Sequence, residues 1–92
     1  MIVHIKSFAN FRDILGKDLN VEVANDSTIK TLLDDLISTK PRLKNALFEE
    51  SGQIKEYIIL MKNRKNINTM DGLNTQLAEG DEVAILPPAA GG

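Results

Sequence analysis

The chain has 92 residues, 42% of them apolar, a formal charge of −2 and no cysteine. That is one domain's length, with apolar material for one modest core and too much of it for a disordered segment. The acidic balance gives no electrostatic footing for nucleic acid or an anionic membrane surface. Without cysteine, no disulfide, thiolate nucleophile or Cys-ligated metal can form.

His4 is the single histidine and cannot build a zinc site without help, so no metal site is expected. No apolar run reaches the roughly 18 residues of a membrane span. The N-terminus opens on an alternating pattern, not on the basic and then apolar regions of a signal peptide. These features predict a cytoplasmic protein that ends naturally at Gly92.

Met1, Val3 and Ile5 alternate with Ile2, His4 and Lys6, which predicts a strand to Phe8. Phe11, Ile14 and Leu15 before Gly16 predict one or two helical turns. Leu19, Val21 and Val23 give a second strand. Asn25-Asp26-Ser27-Thr28 is a cluster of N-cap residues. It precedes Ile29, Leu32, Leu33, Leu36 and Ile37, the stripe of an amphipathic helix, with Asp34 and Asp35 on its wet face. Pro41 ends that helix and suits the start of another, with Leu43, Leu47 and Phe48 inward.

Ser51-Gly52 is a turn. The run Tyr57 to Met61 is continuously apolar and predicts a strand covered on both faces. Asn63-Arg64 predicts a break or hairpin, and Ile67 a short edge strand. Asp71-Gly72 and Gly80-Asp81 are turns, and Glu82 to Leu86 is the last strand. The order implies an α+β fold: a mixed sheet with one main helix on one face. Residues 1–86 form the domain and residues 87–92 an extended, flexible tail.

No ordinary active site stands out. His4 reads as a surface side chain of a strand, and Asp34-Asp35 and Glu49-Glu50 as solvated helix surface. Asp81-Glu82 reads as turn chemistry. The tail Pro87-Pro88-Ala89-Ala90-Gly91-Gly92 is different. At a glycine frequency of about 7%, two terminal glycines arise by chance in about 1 chain in 200. Pro87-Pro88 ends the sheet pairing and projects the chain outward. Ala89 and Ala90 are small, and Gly91 and Gly92 lack Cβ, so a narrow tunnel can admit the backbone up to the carboxylate. A frayed terminus also accounts for such an end.

The stretch Leu77-Ala78-Glu79-Gly80-Asp81-Glu82-Val83-Ala84-Ile85-Leu86-Pro87-Pro88-Ala89-Ala90-Gly91-Gly92 resembles the ending of the MoaD-type small subunit of molybdopterin synthase. Phe8-Ala9-Asn10-Phe11-Arg12-Asp13, followed by Gly16, resembles that family's other recurrent patch. Asn66-Ile67 and Met70-Asp71-Gly72-Leu73-Asn74-Thr75 are similar to its archaeal-type branch, which includes the small archaeal modifier proteins. The chain departs from the pattern at Asn63-Arg64, where the family usually has Asn-Gly, and at Lys62, where it has an apolar residue.

The resemblance implies a β-grasp, or ubiquitin-like, fold. It implies no bound cofactor: an E1-like partner uses ATP to adenylate Gly92, which a sulfur donor converts to a thiocarboxylate. The tail then enters the large subunit of molybdopterin synthase and delivers sulfur to precursor Z, with the catalytic side chains on the partners. The alternative is a protein modifier joined through Gly92 to target lysines. A thiamine-type (ThiS) carrier ranks lower, because that type lacks the second helical stretch, Pro41 to Glu50. A β-grasp interaction module with an incidental tail is the remaining reading. If Val83 and Ile85 face the core, Ala84 and Leu86 face outward. Phe8 and Leu86 are then candidates for a partner-binding patch, the alternative being that Phe8 is core.

Overall fold

The computed structural model describes residues 1–87. Residues 2 to 7 alternate in burial, so Val3, Ile5 and Ser7 turn inward from β1 (Ile2–Ser7). A short helix, α1 (Asn10–Leu15), buries Phe11 and Leu15 and leads into β2 (Asp18–Glu22). The main helix, α2 (Ile29–Thr39), starts where the cap cluster predicts. Thr31 N–H donates to Thr28 Oγ1 (3.3 Å) and Thr28 N–H donates to Thr31 Oγ1 (2.8 Å), a reciprocal box that satisfies two amides. The second helix, α3 (Arg42–Leu47), follows Pro41 and buries Leu43 and Leu47, while Phe48 is half-buried.

The remaining strands are β3 (Ile59–Lys62), β4 (Lys65–Asn66) and β5 (Glu82–Leu86). The five form one mixed sheet in the order β2-β1-β5-β3-β4. β1 and β5 are parallel neighbours at its centre and every other pairing is antiparallel. Val3, Ile5, Leu60, Val83 and Ile85 from the sheet share one core with Ile29, Leu32, Leu33 and Leu36 of α2, and with Phe11, Leu43 and Leu47. This is the α+β, ubiquitin-like β-grasp architecture expected from the sequence.

Two local expectations change, and a third, the hairpin at Asn63-Arg64, is decided. The apolar run Tyr57 to Met61 is covered on one face only: Ile58 and Leu60 are buried, while Tyr57 and Ile59 are 51% and 40% exposed. No second layer of the protein lies over that side of β3 among the described residues, so period-2 geometry splits the run into inward and outward halves. Ile67 is buried but belongs to a 3₁₀ turn (Ile67–Thr69), and the edge strand is the Lys65–Asn66 pair before it. At the hairpin, Asn63 and Arg64 both take positive φ (50° and 71°), so the turn keeps its left-handed shape without glycine. Asn63 is fixed by its surroundings: its N–H donates to Glu82 O (2.8 Å), its Nδ2 to Asp81 Oδ1 (2.9 Å), and Glu82 N–H donates to Asn63 Oδ1 (2.9 Å).

Candidate functional site

The candidate site is the sheet end where β1 and β5 finish side by side. Their parallel register sets Ser7 against Ile85, so Phe8, the first residue past β1, comes level with Leu86, the last residue of β5. Val83 and Ile85 are fully buried and alternate with half-buried Ala84 and Leu86, which confirms the strand phase read from the sequence. Phe8 is 36% exposed and is absent from the core, which decides its two readings in favour of the surface. Pro87 follows as the last described residue and is half-buried. Pro88, Ala89, Ala90, Gly91 and Gly92, the rest of the expected working end, lie outside the described residues.

Two further side chains join this face from β3. Ile59 pairs with Leu86 and Met61 with Ala84 in antiparallel register. Adjacent strands lie about 4.8 Å apart, so Ile59 and Leu86 make one apolar surface beside the chain's exit. Sequence reasoning missed Ile59 because a run of five apolar residues does not reveal which alternate members meet a core.

Toward β2 the same face becomes polar. His4 Nε2 lies 2.9 Å from Asp18 Oδ1, and Lys6 Nζ lies 3.5 Å from Glu82 Oε2. The hydrogen bond from His4 holds the Asp18 carboxyl below its ordinary value against the opposing effect of desolvation, with the charges of His4, Lys6 and Lys17 adding to the lowering. At the start of β5, burial pushes Asp81 up, but Asn63 Nδ2, Ala78 N–H (2.8 Å) and Lys62 Nζ (3.5 Å) together hold its carboxyl below the ordinary value. Lys62, one of the two departures from the family pattern, also donates to Gln76 O (2.9 Å) and so ties the hairpin to the approach of β5.

Among the described residues, no group of three or more His, Asp or Glu side chains is placed to hold a metal ion. No helix among them is long and apolar enough to cross a membrane. What the geometry offers is a sheet whose central strand ends at Leu86 beside an apolar surface.

Residues 5–92 match the ThiS family. The chain belongs to that family. Within it, the chain is 33% identical over 93 residues to small archaeal modifier protein 3 of Haloferax volcanii, covering all of both chains. It is 34% identical over 91 residues to the molybdopterin synthase sulfur carrier subunit of Drosophila melanogaster, covering 98% of this chain and 90% of that one. The crystal structure of small archaeal modifier protein 1 from Haloferax volcanii superposes with a TM-score of 0.87 at 29% identity, covering 100% of each chain. This ThiS-family member is therefore homologous both to sulfur carriers and to ubiquitin-like modifiers, as the resemblance in its tail implied.

Proposed function

We propose that the protein is a carrier activated at the carboxylate of Gly92, and that it serves as the sulfur-carrying small subunit of a molybdopterin synthase. The observation that carries this reading is that the central strand ends, just before the Pro-Pro-Ala-Ala-Gly-Gly sequence, beside exposed Phe8 and Ile59 and half-buried Leu86. Full-length similarity to a molybdopterin synthase carrier subunit supports it.

The chemistry follows from the weakness of a carboxylate as an electrophile. In an E1-like partner, a carboxylate oxygen of Gly92 attacks the α-phosphorus of ATP and pyrophosphate leaves, forming an acyl-adenylate. Hydrosulfide released by a sulfur donor then attacks the carbonyl carbon, AMP leaves and the S–H proton is lost, forming a thiocarboxylate. The large synthase subunit accepts the tail and takes the sulfur. All of this chemistry is placed in the cytoplasm. The role of the described domain is to present the tail: the apolar face docks, Pro87 and Pro88 stiffen the exit, and the alanines and glycines give clearance.

A second reading is favoured by the match to a small archaeal modifier protein over the whole chain. Here a lysine ε-amine of a target displaces AMP, and an isopeptide bond to Gly92 forms. Intact mass spectrometry of the protein from its native cell separates the two. A fraction heavier by one oxygen-to-sulfur exchange supports the carrier. Larger conjugates that vanish when Gly91 and Gly92 are deleted support the modifier. A cellular role left intact by that deletion contradicts both. The last Lys or Arg is Lys65, so trypsin leaves a long remnant on a target and a search for a two-glycine remnant fails.

A further inference from the structure

The Phe8–Gly16 patch has a use that the proposed chemistry does not assign. Its loop is closed at the base by Ser7 N–H donating to Lys17 O (3.1 Å), where β1 and β2 begin to pair. Ala9 turns the chain at φ 52° and ψ −128°, a conformation costly for a residue with a Cβ. That turn lets Phe11 N–H reach Phe8 O (3.1 Å) and Arg12 N–H reach Ala9 O (3.0 Å), which starts α1. The outcome is that Arg12 of α1, Lys6 of β1 and Lys17 of the loop line one small cavity, of about 110 Å³, together with Ser7, Phe8 and Asp18.

The charges there are unbalanced. Arg12 and Lys17 are exposed and form no ion pair among the described residues. Lys6 reaches Glu82 only at 3.5 Å, on the side away from β2. The one acid on the rim, Asp18, is hydrogen-bonded to His4 and offsets only part of the positive charge of the three cations. A chain with a formal charge of −2 thus gathers three cations at one corner, beside the exposed Phe8 and the point where the tail leaves.

We infer that this corner is the polar half of the docking surface and receives carboxylate side chains of the E1-like activating protein that takes the tail. The inference rests on the proposed activation of Gly92, because a body that engulfs the tail must lie against the ends of β1 and β5. Three cations are too few, on an acidic chain, to hold a nucleic-acid backbone. The cavity admits one or two carboxylate groups, which Arg12 can grip in bidentate fashion while Lys6 and Lys17 add point charges. The apolar Phe8–Ile59–Leu86 surface then supplies contact area and the cationic corner fixes which way the partner sits.

The test uses the full chain and the E1-like activating enzyme of the same cell, and follows ATP-dependent adenylation. The double variant Arg12→Glu/Lys17→Glu is compared with Lys40→Glu/Lys44→Glu, which makes the same charge change at the α2–α3 side. The expected result is a KM for the carrier raised about tenfold or more with kcat nearly unchanged, and a weaker dependence of KM on salt. The control pair keeps a KM near that of the native chain. A milder pair, Arg12→Gln/Lys17→Gln, is expected to lie between the two. Native adenylation that is indifferent to both corner variants overturns the inference alone. Absence of adenylation of the native chain overturns the reading beneath it. Titration with inorganic pyrophosphate followed by NMR adds a further arm. Saturable shifts at Lys6, Arg12 and Lys17 below millimolar concentration make this a phosphate site and overturn the assignment to carboxylates.

Discussion

The two faces of the sheet are made from the same strands and behave as different materials. On the inner face, Val3, Ile5, Val83 and Ile85 have no exposed surface and meet the leucine stripe of α2. On the outer face, Ile59 and Phe8 stay exposed, and His4, Lys6, Asp18 and Glu82 pair across strands in water. One residue of register separates a core residue from a surface residue. Folding energy is thus concentrated on one side, which leaves the other free to be chosen for recognition.

Neighbours in β5 test that division most strongly. Ile85→Ala is expected to cost about 2–5 kcal/mol in urea unfolding, because it opens a cavity in the packed core. Leu86→Asp is expected to cost within about 1 kcal/mol while weakening partner binding. A variant Leu86→Asp that fails to fold contradicts the strand phase. Thr28→Ala, which removes the cap of the helix that covers the inner face, is expected to cost about 1 kcal/mol by the same measurement.

Ser7 is the exception on the inner face. It takes the last inward place of β1, and its buried hydroxyl has no hydrogen-bond partner among the described residues. Ser7→Ala is expected to raise stability by about 1 kcal/mol, since an unsatisfied buried hydroxyl is costly. A loss of stability shows that the hydroxyl has a partner in solution.

The smallest expected effect comes from Asp81, at the rim between the faces. Its carboxyl is held below the ordinary value of 3.8, so the folded state binds this proton less readily than the unfolded one. The stability it contributes is fully present above that value and is lost as pH falls through the folded pKa. Unfolding free energy measured between about pH 5 and pH 2 is expected to fall less steeply in Asp81→Asn than in the native chain. Equal slopes contradict the assigned role of the Asn63 and Lys62 contacts.

The sequence made the inner face readable because burial leaves a period. The stripe from Ile29 to Leu36 and the alternation in Glu82 to Leu86 each identify their own elements. The outer face leaves no such trace. Tyr57 to Met61 reads as uniformly apolar, and only the strand pairing shows that Ile59 joins Leu86. Arg64 at φ 71° was legible as a departure from Asn-Gly, but its acceptance of the left-handed turn depends on Asn63 being bound to Asp81 and Glu82 across the fold. Lys6, Arg12 and Lys17 share no spacing. They meet because a strand, a helix and a loop converge where β1 and β2 close.

The central claim is that the reactive atom lies at Gly92 and the domain presents it. Hydroxylamine trapping of the ATP-activated protein, read by fragmentation mass spectrometry, tests this directly. A hydroxamate confined to Gly92 is the expected result. An adduct on an Asp or Glu side chain, or ATP-dependent activation that survives deletion of Gly91 and Gly92, contradicts it.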